Sequence, residues 1–331
     1  MSTALAGAAL PRPAPGRAGR LAGKALFWGA WIGAYLAFPD YLPLFGQVAI
    51  AALFALSLDL LVGYAGVVTL GHAAFFGLGA YVAGLLAVQG WGEPLSGLLL
   101  AAAAAALLGL LTAPLVLRGG DLAGLMVTLG IAMMLYEAAN KAAWLTGGAD
   151  GLQGVEVWPV LGIWRFDLFG RTAYLYSLAV LALLFALARL IVASPFGLAL
   201  RGIRANARRM HALGTPVRAR LVAAYALSAA YASVAGALLA QTTQFVSLDV
   251  LSFQRSAEGL LMLVLGGLGR LYGGLLGAVV FVVAHHFLSE MTPQFWQFWI
   301  GAALVVLTIA GRGGVLGLLE ALAARLRRGR A

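Results

Sequence analysis

Apolar residues fill this chain so evenly that its organisation shows best where polar residues interrupt it. Between the interruptions lie runs of roughly 20 residues, the length a helix needs to cross the hydrocarbon core of a bilayer. The pattern predicts about ten such spans, at residues 22–38, 44–62, 67–88, 96–117, 122–144, 172–192, 221–241, 256–268, 272–289 and 295–311. The eighth is short and bounded by glycine, so a half-helix or re-entrant piece is the alternative there. The fold class expected is all-α, a polytopic membrane helix bundle.

One long helical stretch breaks the rule. Residues 194–220 read SPFGLALRGIRANARRMHALGTPVRAR, which cannot sit in lipid. Ser194 is a suitable N-cap, and Pro195 fits the first helical position, where a missing N–H costs nothing. Gly214 suits the left-handed residue after a helix, and Pro216 prevents continuation. Phe196, Leu200, Ile203, Ala207 and Met210 recur at spacings of four and three, one apolar stripe. Arg201, Arg204, Arg208 and Arg209 lie mostly off it. A single amphipathic, basic helix over 195–213 is predicted.

Composition and charge orient these elements. Of 331 residues, 62% are hydrophobic and only 10% charged, with mean hydropathy +0.94, against about 25% charged in a soluble domain. The net charge of +10 reflects topology rather than nucleic acid. With the N-terminus inside, ten spans leave only Lys141, Arg165, Arg171 and Arg255 outside among the 22 basic residues. Positive loops stay in the cytoplasm, so both termini are expected there. The layout is a cytoplasmic tail over 1–24, a transmembrane domain over 25–319 with its loop at 194–220, and a basic cytoplasmic tail over 320–331.

Candidate chemistry is sparse. No phosphate-cradling GxxxxGK[ST] string occurs, since Gly23-Lys24-Ala25 lacks the spacing and the hydroxyl. The chain is therefore expected not to hydrolyse ATP or act as an enzyme, and nothing calls for a cofactor. Adjacent His285 and His286 face different ways on a helix and make a poor metal pair. Cysteine is absent, which removes disulfides and thiolate sites. Asp59, His72, Glu137 and Glu258 fall within spans, where ionisable groups must face protein or water. They are candidates for a pathway, with interhelical hydrogen bonding as the plainer alternative. The basic helix has two readings as well: a docking element for a separate ATPase, or a helix resting on anionic lipid.

Specific strings bear on that choice. Residues 68–81, VTLGHAAFFGLGAY, resemble the signature of ABC-importer permeases for branched-chain amino acids. Val127-Thr128-Leu129 and the run from Thr146, Gly147 and Gly148 through Asp150 and Gly151 to Leu152 are similar to that family's fifth span and external loop. Leu200-Arg201-Gly202-Ile203-Arg204-Ala205-Asn206, with the segment closing at Gly214, is similar to its ATPase-coupling loop. Glu258 and residues 261–269, LMLVLGGLG, match its late motif. The resemblance runs from about residue 44 to 319 and follows the second of the family's two permease types.

It implies a second permease subunit as heterodimer partner, two cytoplasmic ATP-binding subunits and an extracytoplasmic solute-binding protein, in the inner membrane and in contact with lipid. It implies coupling roles for Leu200, Arg201, Ile203, Arg204, Asn206, Arg208 and Gly214. Thr69 and Thr128 join Asp59, His72, Glu137 and Glu258 as pathway candidates. The expected solute is a branched-chain or related amino acid; relatives that carry urea, amides or sugars, an ion-coupled carrier and a membrane enzyme are the alternatives.

Overall fold

The computed structural model describes residues 17–291 other than 168, with scattered positions between 294 and 317; for residues 17–26 and 121 only the backbone is described. The helices are α1 (Arg17–Ala37), α2 (Leu42–Leu58, wound on as a π-helix through Asp59–Ala65), α3 (Ala73–Val88), α4 (Pro94–Val116), α5 (Asp121–Lys141) and α6 (Ala143–Thr146). They continue with α7 (Arg171–Ala193), α8 (Pro195–Ala205), α9 (Ala207–Ala212), α10 (Val217–Thr243), α11 (Phe253–Gly266) and α12 (Leu271–Met291).

Among the described residues, six helices are long and apolar enough to cross a membrane: Pro39–Ala65, Pro94–Val116, Leu122–Lys141, Arg171–Ala193, Val217–Thr243 and Leu271–Met291. The helix of the third predicted span is shorter than expected, and that of the eighth is as short as its pattern indicated. At 1.5 Å per residue, the 16 residues of α3 reach about 24 Å and the 14 of α11 about 21 Å, against a core of about 30 Å. Helix α1 begins at Arg17, inside the predicted tail. The tenth span and the C-terminal tail lie largely outside the described residues.

Helices α2 and α10 form the centre. The apolar part of α2 is almost wholly buried and that of α10 mostly so, whereas α4, α5, α7 and α12 bury only a minority of theirs. Small residues let the central helices approach, as expected where no hydrophobic force drives helices together in lipid. A Cβ on Gly236 would lie 1.7 Å from the Phe76 carbonyl oxygen, and one on Gly79 would lie 2.0 Å from that of Ser233. Alanine or larger cannot replace either without separating α3 from α10.

The two short helices have a common cause. After α2 the chain runs without helix through residues 66–72 before α3 begins, and after α10 it runs irregularly through 244–252 before α11 begins. Non-helical backbone is tolerated at membrane depth only when protein covers it. Thr69, Gly71 and His72 are buried in the first break, and Leu248, Val250 and Leu251 in the second. The two breaks lead into helices that meet: the Ala73 N–H, opening α3, donates to Ser256 Oγ in the first turn of α11 at 2.8 Å. Helix α2 ends, and α10 begins, at the end of the bundle that carries α8. The two helix–break–helix units therefore run in opposite senses, the arrangement of an inverted repeat.

The predicted basic helix is two helices. Asn206 takes an extended conformation, and its Oδ1 accepts the Arg209 N–H at 2.9 Å. Asparagine is a strong N-cap because its side chain replaces a missing backbone partner, so it ends α8 and starts α9. Met210 then folds back on Gly202, where a Cβ would meet its sulfur at 2.7 Å. Gly214 has the expected positive φ, 79°.

Candidate functional site

Three clusters gather the residues singled out in the sequence. The first lies around the signature segment. The Gly71 N–H donates to Thr69 Oγ1 at 3.2 Å, and the Leu70 N–H to Thr128 Oγ1 at 3.3 Å. Thr128 in turn donates to the Leu125 carbonyl at 2.9 Å. These two threonines supply partners that an unwound segment lacks, which makes the break affordable in the sense of backbone accounting. His72 is fully buried, with Nε2 2.9 Å from Ser57 Oγ and 3.4 Å from Ser228 Oγ. Both serine hydroxyl hydrogens are spent on carbonyls, Ser57 on Phe54 and Ser228 on Ser57. The imidazole proton therefore belongs on Nε2, donating to Ser57. Nδ1 is left buried with no hydrogen-bond partner among the described residues.

The second cluster joins α8 to the inner end of α2. Leu200 and Ile203 are buried. Arg201 donates to the Val192 carbonyl at 2.9 Å and lies 5.4 Å from the centre of the Tyr64 ring. Arg204 donates to the Gly63 carbonyl. Beside it, Asp59 is fully buried, and its Oδ1 accepts the Gly269 N–H at 2.7 Å across 210 positions of sequence. Its Oδ2 has no hydrogen-bond partner among the described residues, and the Arg204 guanidinium lies close by, against Gly63 and Gly269. The π-helix, α8 and the α11–α12 turn are thus tied at one point. Asn206, Arg208 and Arg209 stay exposed.

The third cluster is the loop after α5. Thr146 Oγ1 donates toward the Ala139 carbonyl at 2.5 Å and accepts the Gly148 N–H at 3.3 Å. Gly147, Gly148 and Gly151 have φ of 77°, 56° and 76°, a region glycine enters without steric cost. Leu152 pairs with Val246 in an antiparallel bridge, which pins this loop to the break before α11. Asp150 is exposed.

Two candidates part company. Glu137 lies on an exposed face of α5, 3.6 Å from Lys141 one turn on, not in the bundle interior. Glu258 is largely buried and meets Arg255 at 3.3 Å and Gln254 at 3.2 Å. Ser57, Ser228 and Ser256 were not singled out by sequence, and Gly269 only as part of the 261–269 motif. Serines in spans carry no distinguishing period, and a glycine's partner is another segment. Arg255 carried one legible signal, as a cation placed on the outer side of the bundle.

The profile of the family described as branched-chain amino acid transport system / permease component matches residues 41–308. Two relatives are high-affinity branched-chain amino acid transport system permease proteins LivM. That of Escherichia coli (strain K12) is 31% identical over 288 residues, and that of Salmonella typhimurium (strain LT2) 32% identical over 289 residues. In each case the match covers 79% of this chain and 66% of the relative, so the chain spans just under two thirds of their length. No solved structure matches significantly. This polytopic helical bundle belongs to the family of branched-chain amino acid transport permease components, multi-pass proteins of the inner membrane.

Proposed function

We propose that the chain is a permease subunit of a binding-protein-dependent ABC importer, forming with a second permease subunit the pathway for branched-chain or related amino acids. Two separate ATP-binding subunits drive it, and an extracytoplasmic binding protein delivers solute. The observation that carries this reading is the anchoring of α8. Arg201 and Arg204 turn back onto the bundle, on Val192, Tyr64 and Gly63. Helix α9 is left projecting with Arg208 and Arg209 exposed. A helix held only by lipid headgroups has no need of such partners. In this reading Leu200, Ile203, Arg201 and Arg204 form the transmitting side, while Asn206, Arg208 and Gly214 shape the part that an ATPase engages.

In this reading the chain crosses ten times, the short α3 and α11 each counted with its adjoining break, and both termini and α8 lie in the cytoplasm. Movement of α8 is transmitted through Gly63 and Gly269 to α2, α11 and α12. Thr69, His72 and Thr128 hold the break that this movement would flex, and the 146–151 loop shapes the outer mouth against the binding protein. The test is ATP-driven uptake of labelled L-leucine by the complex in proteoliposomes, with co-purification of the ATPases. Uptake that follows a proton gradient without ATP would replace this reading with an ion-coupled carrier. ATP-driven uptake of urea, an amide or a pentose and of no amino acid would move the substrate class.

A further inference from the structure

A cavity of about 390 Å³ opens between α2, α11 and α12, within the size range of small-ligand pockets, roughly 300–1,000 Å³. It lies in the half of the bundle away from α8: Gln47 and Ile50 come from the first turns of α2, and Asp249 from the break before α11. Its wall divides by chemistry. One part is apolar, formed by Ile50, Phe54, Phe76, Met262 and Phe281. The other holds Arg255 between two carboxylates, with Nη1 3.3 Å from Glu258 and Nη2 3.5 Å from Asp249. Gln254 adds an amide on Glu258 at 3.2 Å.

This group is neither closed nor balanced. Both ion-pair distances exceed the 2.7–2.9 Å of a tight charge-assisted bond. Arg255 Nε is buried with no hydrogen-bond partner among the described residues. Arg255 and its two carboxylates together carry one excess negative charge. A solute that brings an ammonium and a carboxylate on one carbon offers a partner to each side, its carboxylate to Arg255 and its ammonium to the two carboxylates. A branched aliphatic group on that carbon then has the phenylalanine-lined wall.

We propose that this cavity binds the zwitterionic head of an aliphatic α-amino acid, with Arg255 receiving its carboxylate, Glu258 and Asp249 its ammonium, and the Phe54–Phe281 wall its side chain. The inference rests on the amino-acid permease reading and deepens it, by naming where the solute halts within the membrane domain. Helix α11 carries Arg255 and Glu258 in its first half and runs into the Gly269 turn that Asp59 holds, so the same helix touches both the solute and the coupling junction.

The native chain has no cysteine, so Val282→Cys, on the cavity wall, reports occupancy through its alkylation rate. The sample is the full chain with its ATPases in nanodiscs, without binding protein, and the probes are L-leucine, 4-methylpentanoate and 3-methylbutylamine. L-leucine is expected to slow alkylation saturably. Each analogue lacks one charged group and should need at least about tenfold more to do so, the scale of one charged hydrogen bond. In the same background Arg255→Gln should raise the leucine concentration required at least about tenfold. A variant that does not assemble leaves the decision with the analogue series. Absence of protection by leucine, isoleucine and valine while ATP-driven leucine uptake proceeds overturns the site and leaves the permease reading standing. Equal protection by the amine alone overturns the zwitterion assignment in favour of a cation site. Uptake restricted to solutes other than amino acids removes the permease reading and the site together.

Discussion

Gly63→Ala tests the coupling junction at its tightest point. A Cβ there would lie 1.9 Å from Asp59 Oδ1 and 2.8 Å from the Gly269 nitrogen, between the two partners of their hydrogen bond. Relief requires the Asp59 side chain to rotate away from Gly269 and the α11–α12 turn to withdraw, because the Gly269 nitrogen belongs to the backbone. Forcing a methyl into a packed site costs about 1–3 kcal/mol. Loss of an N–H bond to a carboxylate costs about 1.5–3 kcal/mol more, so the expected destabilisation is about 2.5–6 kcal/mol. Gly274→Ala is the control, since its Cβ would meet Ala55 at an ordinary 3.4 Å. Reversible SDS denaturation of the purified chain, followed by circular dichroism, gives both differences. Asp59→Ala combined with Gly63→Ala should cost less than the sum of the two, by the about 0.5–3 kcal/mol typical of residues in contact. A Gly63→Ala protein within about 0.5 kcal/mol of the wild type, the range of an uneventful substitution, would refute the junction as described.

Other outcomes follow from the same geometry. Exchanging Arg204 and Ala205 keeps net charge but turns the cation by about 100° around α8, away from the Gly63 carbonyl. ATP-driven uptake should fall at least about tenfold, since an interfacial charge without its partner costs about 2–5 kcal/mol, whereas a helix lying on lipid would lose nothing. Gly148→Val places a branched residue at φ 56° with its Cβ 2.9 Å from that of Ala143. Stimulation of ATPase activity by the binding protein should drop while assembly with the ATPases persists, and unchanged stimulation counts against the loop's role. Single cysteines at Ala149 and Arg208, both exposed, should react with an impermeant reagent from outside and inside respectively. Cysteines at Ser2 and Ala331 should behave like the one at Arg208; labelling of both termini from outside would sink the ten-crossing topology.

Much of this protein was legible from local pattern. The apolar runs of α2, α4, α5, α7, α10 and α12 announce themselves because lipid demands about 20 consecutive apolar residues whatever their neighbours are. Pro195 at the first position of α8 and the positive φ of Gly214 follow from single-residue backbone preferences. The buried Leu200 and Ile203 follow from helical spacing. Ala207 continues that stripe yet is exposed, because the Asn206 side chain caps a new helix and redirects the chain. Periodicity alone does not register such a choice.

Tertiary structure decided where the helices stop and what their polar residues meet. In a chain this apolar, a hydrophobic run looks the same whether its helix continues or breaks. The break at 66–72 is viable only because Thr128, on another helix, accepts the Leu70 N–H. Asp59 and Glu137 are both acids within predicted spans, yet one is buried against the Gly269 backbone and the other is exposed beside Lys141. That difference depends on which face of each helix the bundle covers, and residues 210 positions apart settle it. Hydropathy reports the free energy of entering the membrane, residue by residue. Complementarity between small residues, breaks and caps on separate helices sets the arrangement within it.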